Sequence, residues 1–157
     1  MSNADASIRN DTALRPKAYL DADVLLAAAA STRGASHIVV KLSEFTLIEG
    51  VISEAVHMEV ERNVRVKLPA ALPAYRALVH SAKLRVVPWP TVDHLEVYQG
   101  QADAKDLPHL AAACLAGCHY LVTHNTRHYA PKPGLIEVLT PGVFLERIRT
   151  QLARLIH

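Results

Sequence analysis

The feature that most constrains this chain is the regular alternation of short apolar runs with longer helical stretches. Ala18-Tyr19-Leu20, Gly50-Val51-Ile52-Ser53, Leu84-Arg85-Val86-Val87, Tyr120-Leu121-Val122 and Leu135 to Leu139 read as strands. They are short, bounded by turn signals, and suit the buried centre of a sheet. Between them, Ala22 to Thr32 is a helix rich in Ala and Leu, stopped by Gly34. Ser36 is the expected N-cap of a second helix ending at Leu42 or Glu44, and Ser53 of a third. That third helix carries Val56, Val60 and Val64 at fourfold spacing and stops near Pro69. Further helices are predicted over residues 73–82, 91–99 and 106–116, the last with Pro108 in its first turn and Gly117 at its end. Phe144, Ile148, Leu152 and Leu155 predict the buried stripe of a C-terminal helix.

Such alternation, with no internal repeat, predicts an α/β fold in which a parallel sheet of about five strands is covered by helices on both faces, a three-layer sandwich. With 157 residues, 50% of them apolar, the chain can bury one core. A single domain is expected over residues 17–157, preceded by a polar, flexible tail over residues 1–16.

Charge and cysteine content exclude several classes. Lys plus Arg number 17 against 15 Asp plus Glu, a formal net charge of +2. Bulk charge therefore does not make this a polybasic nucleic-acid binder; any such contact runs through a local basic rim. Aromatic residues are 5% of the chain, too few for base stacking to be the expected mode of contact. The two cysteines, Cys114 and Cys118, give neither a disulfide framework nor a zinc ribbon, and with His119 they read as buried thiols beside an unrelated histidine. The apolar run from Val24 to Ala30 is too short to cross a bilayer. Asp21 and Asp23 precede it where a secretory signal would be basic. A reduced, cytoplasmic setting without a membrane is the expectation.

In a parallel sheet the functional site lies beyond the carboxyl ends of the strands. Asp21 ends the first strand, with Asp23 two residues on. Glu59 lies in the helix after Ser53, Asp106 opens the helix before the fourth strand, and Asn125 follows that strand. Carboxylates gathered at one edge repel unless a cation neutralises them, and hard ions such as Mg²⁺ or Mn²⁺ take oxygen ligands and bridge to phosphate. Each residue alone has a plainer reading: Asp21 and Asp106 as helix caps, Glu59 as an exposed helical acid, Asp103 as a helix-start residue. Their joint order on an alternating fold favours a site. Asp23 is expected to order Asp21 or the neighbouring loops. Thr123, Arg127 and Lys105 are the candidates for positioning substrate, since Arg binds phosphate bidentately. Arg62, Arg65 and Lys67 read as a solvated helix face.

Three segments carry a resemblance. Tyr19-Leu20-Asp21-Ala22-Asp23-Val24-Leu25-Leu26 resembles the opening of PIN-domain nucleases, Ser53 to Glu59 resembles their second motif, and DAKDLPHLAAACLAGCHYLVTHNTRHY over residues 103–129 resembles their closing segment. The resemblance covers residues 17–152. It implies a Mg²⁺- or Mn²⁺-dependent endoribonuclease, often the toxin of a toxin–antitoxin pair and commonly a homodimer. Residue by residue, it implies Asp21, Glu59 and Asp106 as the metal-binding acids, and Thr123 with Asn125 as the last motif. Many relatives carry Asp at the position of Asn125 or three residues later, where this chain has His128. Two other readings stand beside it. One is a degenerate PIN module that binds RNA or protein without cutting. The other is a haloacid-dehalogenase-like phosphatase using Asp21 and Asp23.

Overall fold

The computed structural model of the protein describes residues 15–156. The tail expected over residues 1–16 lies outside the described residues except for Arg15 and Pro16. The elements in chain order are β1 (Lys17–Leu20), α1 (Ala22–Ala30), α2 (Ala35–Glu44), β2 (Glu49–Ser53), α3 (Glu54–Lys67), a 3₁₀ turn (Pro69–Ala71), α4 (Leu72–Ser81), β3 (Arg85–Val87), α5 (Val92–Val97), α6 (Leu107–Leu115), β4 (Tyr120–Val122), a second 3₁₀ turn (Thr126–His128), β5 (Glu137–Leu139) and α7 (Pro141–Ile156).

The five strands form one parallel sheet in the order β3-β2-β1-β4-β5. β1 is central, and its Ala18, Tyr19 and Leu20 are fully buried, as a strand covered on both faces must be. α1 to α4 pack on one another, and α7 joins them through α2. α5 and α6 form a second group, with α6 against β2 and β4. The result is the expected three-layer α/β architecture.

Local sequence explains the elements that frame the site. The Ser53 hydroxyl accepts from the Val56 amide at 3.1 Å and caps α3. Val56, Val60 and Val64 then bury one face of that helix, each worth about 1.5–3 kcal/mol of transfer free energy. Asp106 occupies the N-cap position of α6 without making a side-chain cap bond. Gly117, at φ +72°, turns the chain after α6 into β4.

Two expectations are corrected. Ser36 does not cap α2: the helix starts at Ala35 with Gly34 as its N-cap, so Ser36 lies inside the first turn. The hydroxyl of Ser36 instead meets Nε2 of His124 at 3.4 Å. The stripe on α7 is buried only at Phe144 and Ile148, whereas Leu152 is 39% and Leu155 63% exposed. The last turns of α7 run past the body of the domain, so the apolar period continues where the packing has ended.

The strand order reverses between β1 and β4. The connections leaving their carboxyl ends run to opposite sides of the sheet there, the place where ligands bind in open α/β sheets. Asp21 follows β1 and Thr123 follows β4, and the Asp21 amide donates to the Val122 carbonyl at 3.0 Å. The topology therefore brings the first and last acidic motifs to one point.

Candidate metal centre

Two loops are joined across this edge. Ala102 and Tyr129 form an antiparallel bridge. The Asp103 amide donates to the His128 carbonyl at 2.8 Å, and the Ala130 amide to the Gln101 carbonyl at 2.8 Å. The Gln101 side chain accepts from the Lys132 amide at 2.8 Å. This pairing carries the 3₁₀ turn of residues 126–128 against the start of α6. His128 Nδ1 comes to 3.1 Å from Asp106 Oδ2, but off the line of a hydrogen bond, so that buried carboxylate oxygen has no hydrogen-bond partner. Asp103, Asp106 and His128 each present one ligand atom within 4.8 Å of the others. Asp103 is exposed, and the other two are half-buried.

Beside them sits a second carboxylate pair. Asp21 is 8% exposed. Its Oδ1 accepts from the Ala22 amide at 2.7 Å, so Asp21 does cap α1, and its Oδ2 accepts from Thr123 Oγ1 at 2.9 Å. Each of these oxygens keeps a lone pair for a further partner. Asp23 Oδ2 faces Thr123 Oγ1 at 3.2 Å, the His124 amide at 3.1 Å and Asn125 Nδ2 at 3.0 Å. Burial first, and the Asp21 carboxylate second, push the Asp23 acid above the ordinary carboxylate range; its donors only partly oppose this. The buried Tyr129 hydroxyl has no hydrogen-bond partner among the described residues, and its pKa is raised by burial and then by the charges of Asp21 and Asp106.

The structure gathers some of the expected residues and not others. Asp106 meets Asp103 and His128; Asp21 meets Thr123, with Asp23 and Asn125 alongside. Thr123 is fully buried, so its hydroxyl orients Asp21. Glu59, three residues after Val56 and one before Val60, flanks the buried stripe of α3 and is exposed. Only its backbone carbonyl is engaged, by Asn63 Nδ2 at 3.0 Å. Lys105 and Arg127 are exposed, next in sequence to Asp106 and His128. Burial pushes the Cys114 thiol up to about 11 and that of Cys118 up to about 12, as expected of inert core thiols.

Asp103 and His128 are members of the cluster that the sequence does not assign. The spacing Asp103-x-x-Asp106 signals a shared side of one turn. His128 arrives only through the pairing of two distant loops. The donor set fits a hard divalent ion: carboxylate oxygens dominate, and the orphaned Asp106 oxygen is an acceptor that a cation would satisfy. One imidazole among them suits Mn²⁺ better than Mg²⁺, which keeps to oxygen.

A family model described as PIN domain matches residues 17–127 of the chain. Three solved structures share the fold. VapBC2 from Rickettsia felis, bound to a DNA fragment from their promoter, has 14% identity and a TM-score of 0.57, covering 78% of this chain and 98% of that one. DNA-bound VapBC from Salmonella typhimurium has 19% identity and a TM-score of 0.55, covering 80% and 98%. PAE2754 from Pyrobaculum aerophilum has 18% identity and a TM-score of 0.58, covering 86% and 96%. No curated protein matches the sequence.

Proposed function

The chain belongs to the PIN-domain family, and on that premise we propose that it is a Mn²⁺- or Mg²⁺-dependent endoribonuclease hydrolysing RNA phosphodiester bonds. The observation that carries this reading is the Asp106 carboxylate oxygen, buried, 3.1 Å from His128 Nδ1 yet without a hydrogen-bond partner among the described residues, and within 4.8 Å of a ligand atom of Asp103. These three residues would hold the ion, with Asp21 and Glu59 completing the acidic edge. When bound, such an ion supplies positive charge to the phosphate oxygens and makes water a stronger nucleophile at neutral pH.

The chain's own groups bind and orient. Lys105 and Arg127 contact the RNA phosphates, Arg127 bidentately. Thr123 fixes the Asp21 carboxylate, and Asp23 holds the loop at residues 123–125. Asn125 gives its amide to Asp23, which leaves its side-chain carbonyl to accept from water. The likeness to the two VapBC structures supports a further part of the proposal, that the chain is the toxin of a toxin–antitoxin pair; in this proposal it acts in the cytoplasm and as a homodimer. No helix among the described residues is long and apolar enough to cross a membrane.

The test is cleavage of single-stranded RNA. Asp21→Asn and Asp106→Asn each abolish Mn²⁺-dependent cutting while the circular dichroism spectrum stays native. Cleavage at the wild-type rate by either variant, with contaminating ribonuclease excluded, overturns the assignment. A second reading, RNA binding without cleavage, draws on the exposure of Glu59; a gel shift with intact RNA in the presence of Mn²⁺ would favour it. Family membership removes the phosphatase reading of Asp21 and Asp23.

A further inference from the structure

Beneath the acidic edge runs a buried hydrogen-bonded chain that the chemistry above does not use. The Tyr19 hydroxyl oxygen lies 3.0 Å from Ser53 Oγ and 2.9 Å from His109 Nδ1. Ser53 Oγ also accepts from the Val56 amide at 3.1 Å. Tyr19 and Ser53 are fully buried, and His109 is 9% exposed. Ser53 and Tyr19 each carry one hydroxyl proton, so the direction of both bonds follows the tautomer of the His109 ring; in either direction the phenol oxygen joins Ser53 Oγ to His109 Nδ1. Trp89 holds the imidazole from the other side, edge-on, with ring centroids 5.1 Å apart.

The three members sit on the three segments that carry the acids. Tyr19 is on β1, two residues before Asp21. Ser53 ends β2 and caps α3, which carries Glu59. His109 lies on α6, one turn after Asp106. Apolar side chains could fill this space without the cost of burying polar groups. They would also tolerate small slides of one segment past another, whereas hydrogen bonds fix separations within a few tenths of an ångström. A site that must present carboxylates at a set spacing needs the second kind of contact.

We propose that the Ser53–Tyr19–His109 chain sets the relative placement of the segments bearing Asp21, Glu59 and Asp106, and that His109 is a positioning residue acting through Asp106. The proposal rests on the nuclease reading above. Tyr19→Phe removes both bonds and keeps the ring. His109→Leu removes the polar partner of the phenol, whereas His109→Asn keeps an amide that can donate or accept close to the position of Nδ1.

Activity and Mn²⁺ affinity are measured on all four proteins well below their melting temperatures, by RNA cleavage and by calorimetric titration. Tyr19→Phe and His109→Leu are expected to lower kcat and weaken Mn²⁺ binding by about 10- to 100-fold, the range for residues supporting metal ligands, with KM for RNA nearly unchanged. His109→Asn is expected to recover most of both. A lower melting temperature with wild-type kcat and Mn²⁺ affinity would mean that the chain only stabilises the core, and overturns the proposal. If Tyr19→Phe does not fold, the contrast between His109→Leu and His109→Asn decides: equal loss in both overturns it. If the wild-type protein binds Mn²⁺ but does not cut RNA, the nuclease reading fails, and the proposal then stands or falls on the Mn²⁺ affinities alone. A wild-type protein that neither binds Mn²⁺ nor cuts RNA overturns both.

Discussion

Asp23 is the most heavily engaged side chain of the acidic edge: its Oδ2 accepts from the His124 amide and Asn125 Nδ2 and shares the Thr123 hydroxyl with Asp21, while Oδ1 has no hydrogen-bond partner among the described residues. Because burial and Asp21 raise its pKa, the folded protein holds the Asp23 proton more tightly than the unfolded chain does. Its contribution to stability is therefore greatest below the ordinary carboxylate range and is lost as pH rises through the raised value. Asp23→Asn has no such proton to lose, and its amide oxygen can accept from the same donors. In urea titrations without metal, the stability of wild type relative to Asp23→Asn should fall as pH rises from the ordinary aspartate value through the raised one; a pH-independent difference would show that the carboxylate is not strained. Asn125→Asp is expected to act in the opposite sense. It removes the 3.0 Å bond to Asp23 and sets a like charge in its place, so the metal-free protein should lose about 1–3 kcal/mol. The Mn²⁺-induced rise in melting temperature should then exceed that of wild type, because the added carboxylate is neutralised only when the ion binds. An unchanged metal-free melting temperature in Asn125→Asp would place this loop away from Asp23. At this scale the sequence was partly legible. Asp21 and Asp106 stand at a strand end and a helix start, which periodicity locates. His128 stands beside Asp106 only because residues 101–103 pair with residues 128–130, a contact that no local pattern records.

The elements repeat that division. Ser53, the Val56-Val60-Val64 spacing, Pro108 and Gly117 mark α3 and α6 because capping and helical period are local physics. Ser36 misleads because Gly34, one residue before α2, takes the cap position, while the Ser36 hydroxyl turns to His124. Leu152 and Leu155 mislead differently: a period states which face of a helix is apolar, not whether anything lies opposite. Gly50 shows how closely β2 is packed. A Cβ built there would lie 2.6 Å from Leu84 Cδ2 and 2.7 Å from Ser43 Oγ. That Ser43 hydroxyl accepts from the Gly50 amide at 3.2 Å and donates to the Ala82 carbonyl at 2.7 Å, tying α2 to β2 and to the end of α4. Gly50→Ala must push these apart and should cost about 1–3 kcal/mol, as overpacking does. The urea midpoint measures it, and a loss below about 0.5 kcal/mol, the usual scale of a surface substitution, would show that β2 can shift freely.

For the whole molecule, alternation of strand and helix dictates a parallel sheet but not the order of its strands. Connection rules leave several orders open, and the observed order β3-β2-β1-β4-β5 puts the reversal between Asp21 and Thr123. The site is thus a property of the topology, which explains why a 14%-identical structure shares the fold although identity that low fixes no side chain. The same scale bears on how the proposed RNA substrate would be held. A formal net charge of +2 gives little long-range attraction, so on the proposed nuclease reading RNA is held by the few cations near the centre, Lys105 and Arg127. Each phosphate contact on a single strand releases counterions worth a slope of about −0.7 in log affinity against log salt, so two contacts predict about −1.4. Asp106→Asn keeps the RNA intact during the titration, and adding Lys105→Ala to it should bring the slope to about −0.7. A slope steeper than about −3 that Lys105→Ala leaves unchanged would move the RNA onto the exposed Arg62, Arg65 and Lys67 of α3, and away from the acids that are meant to act on it.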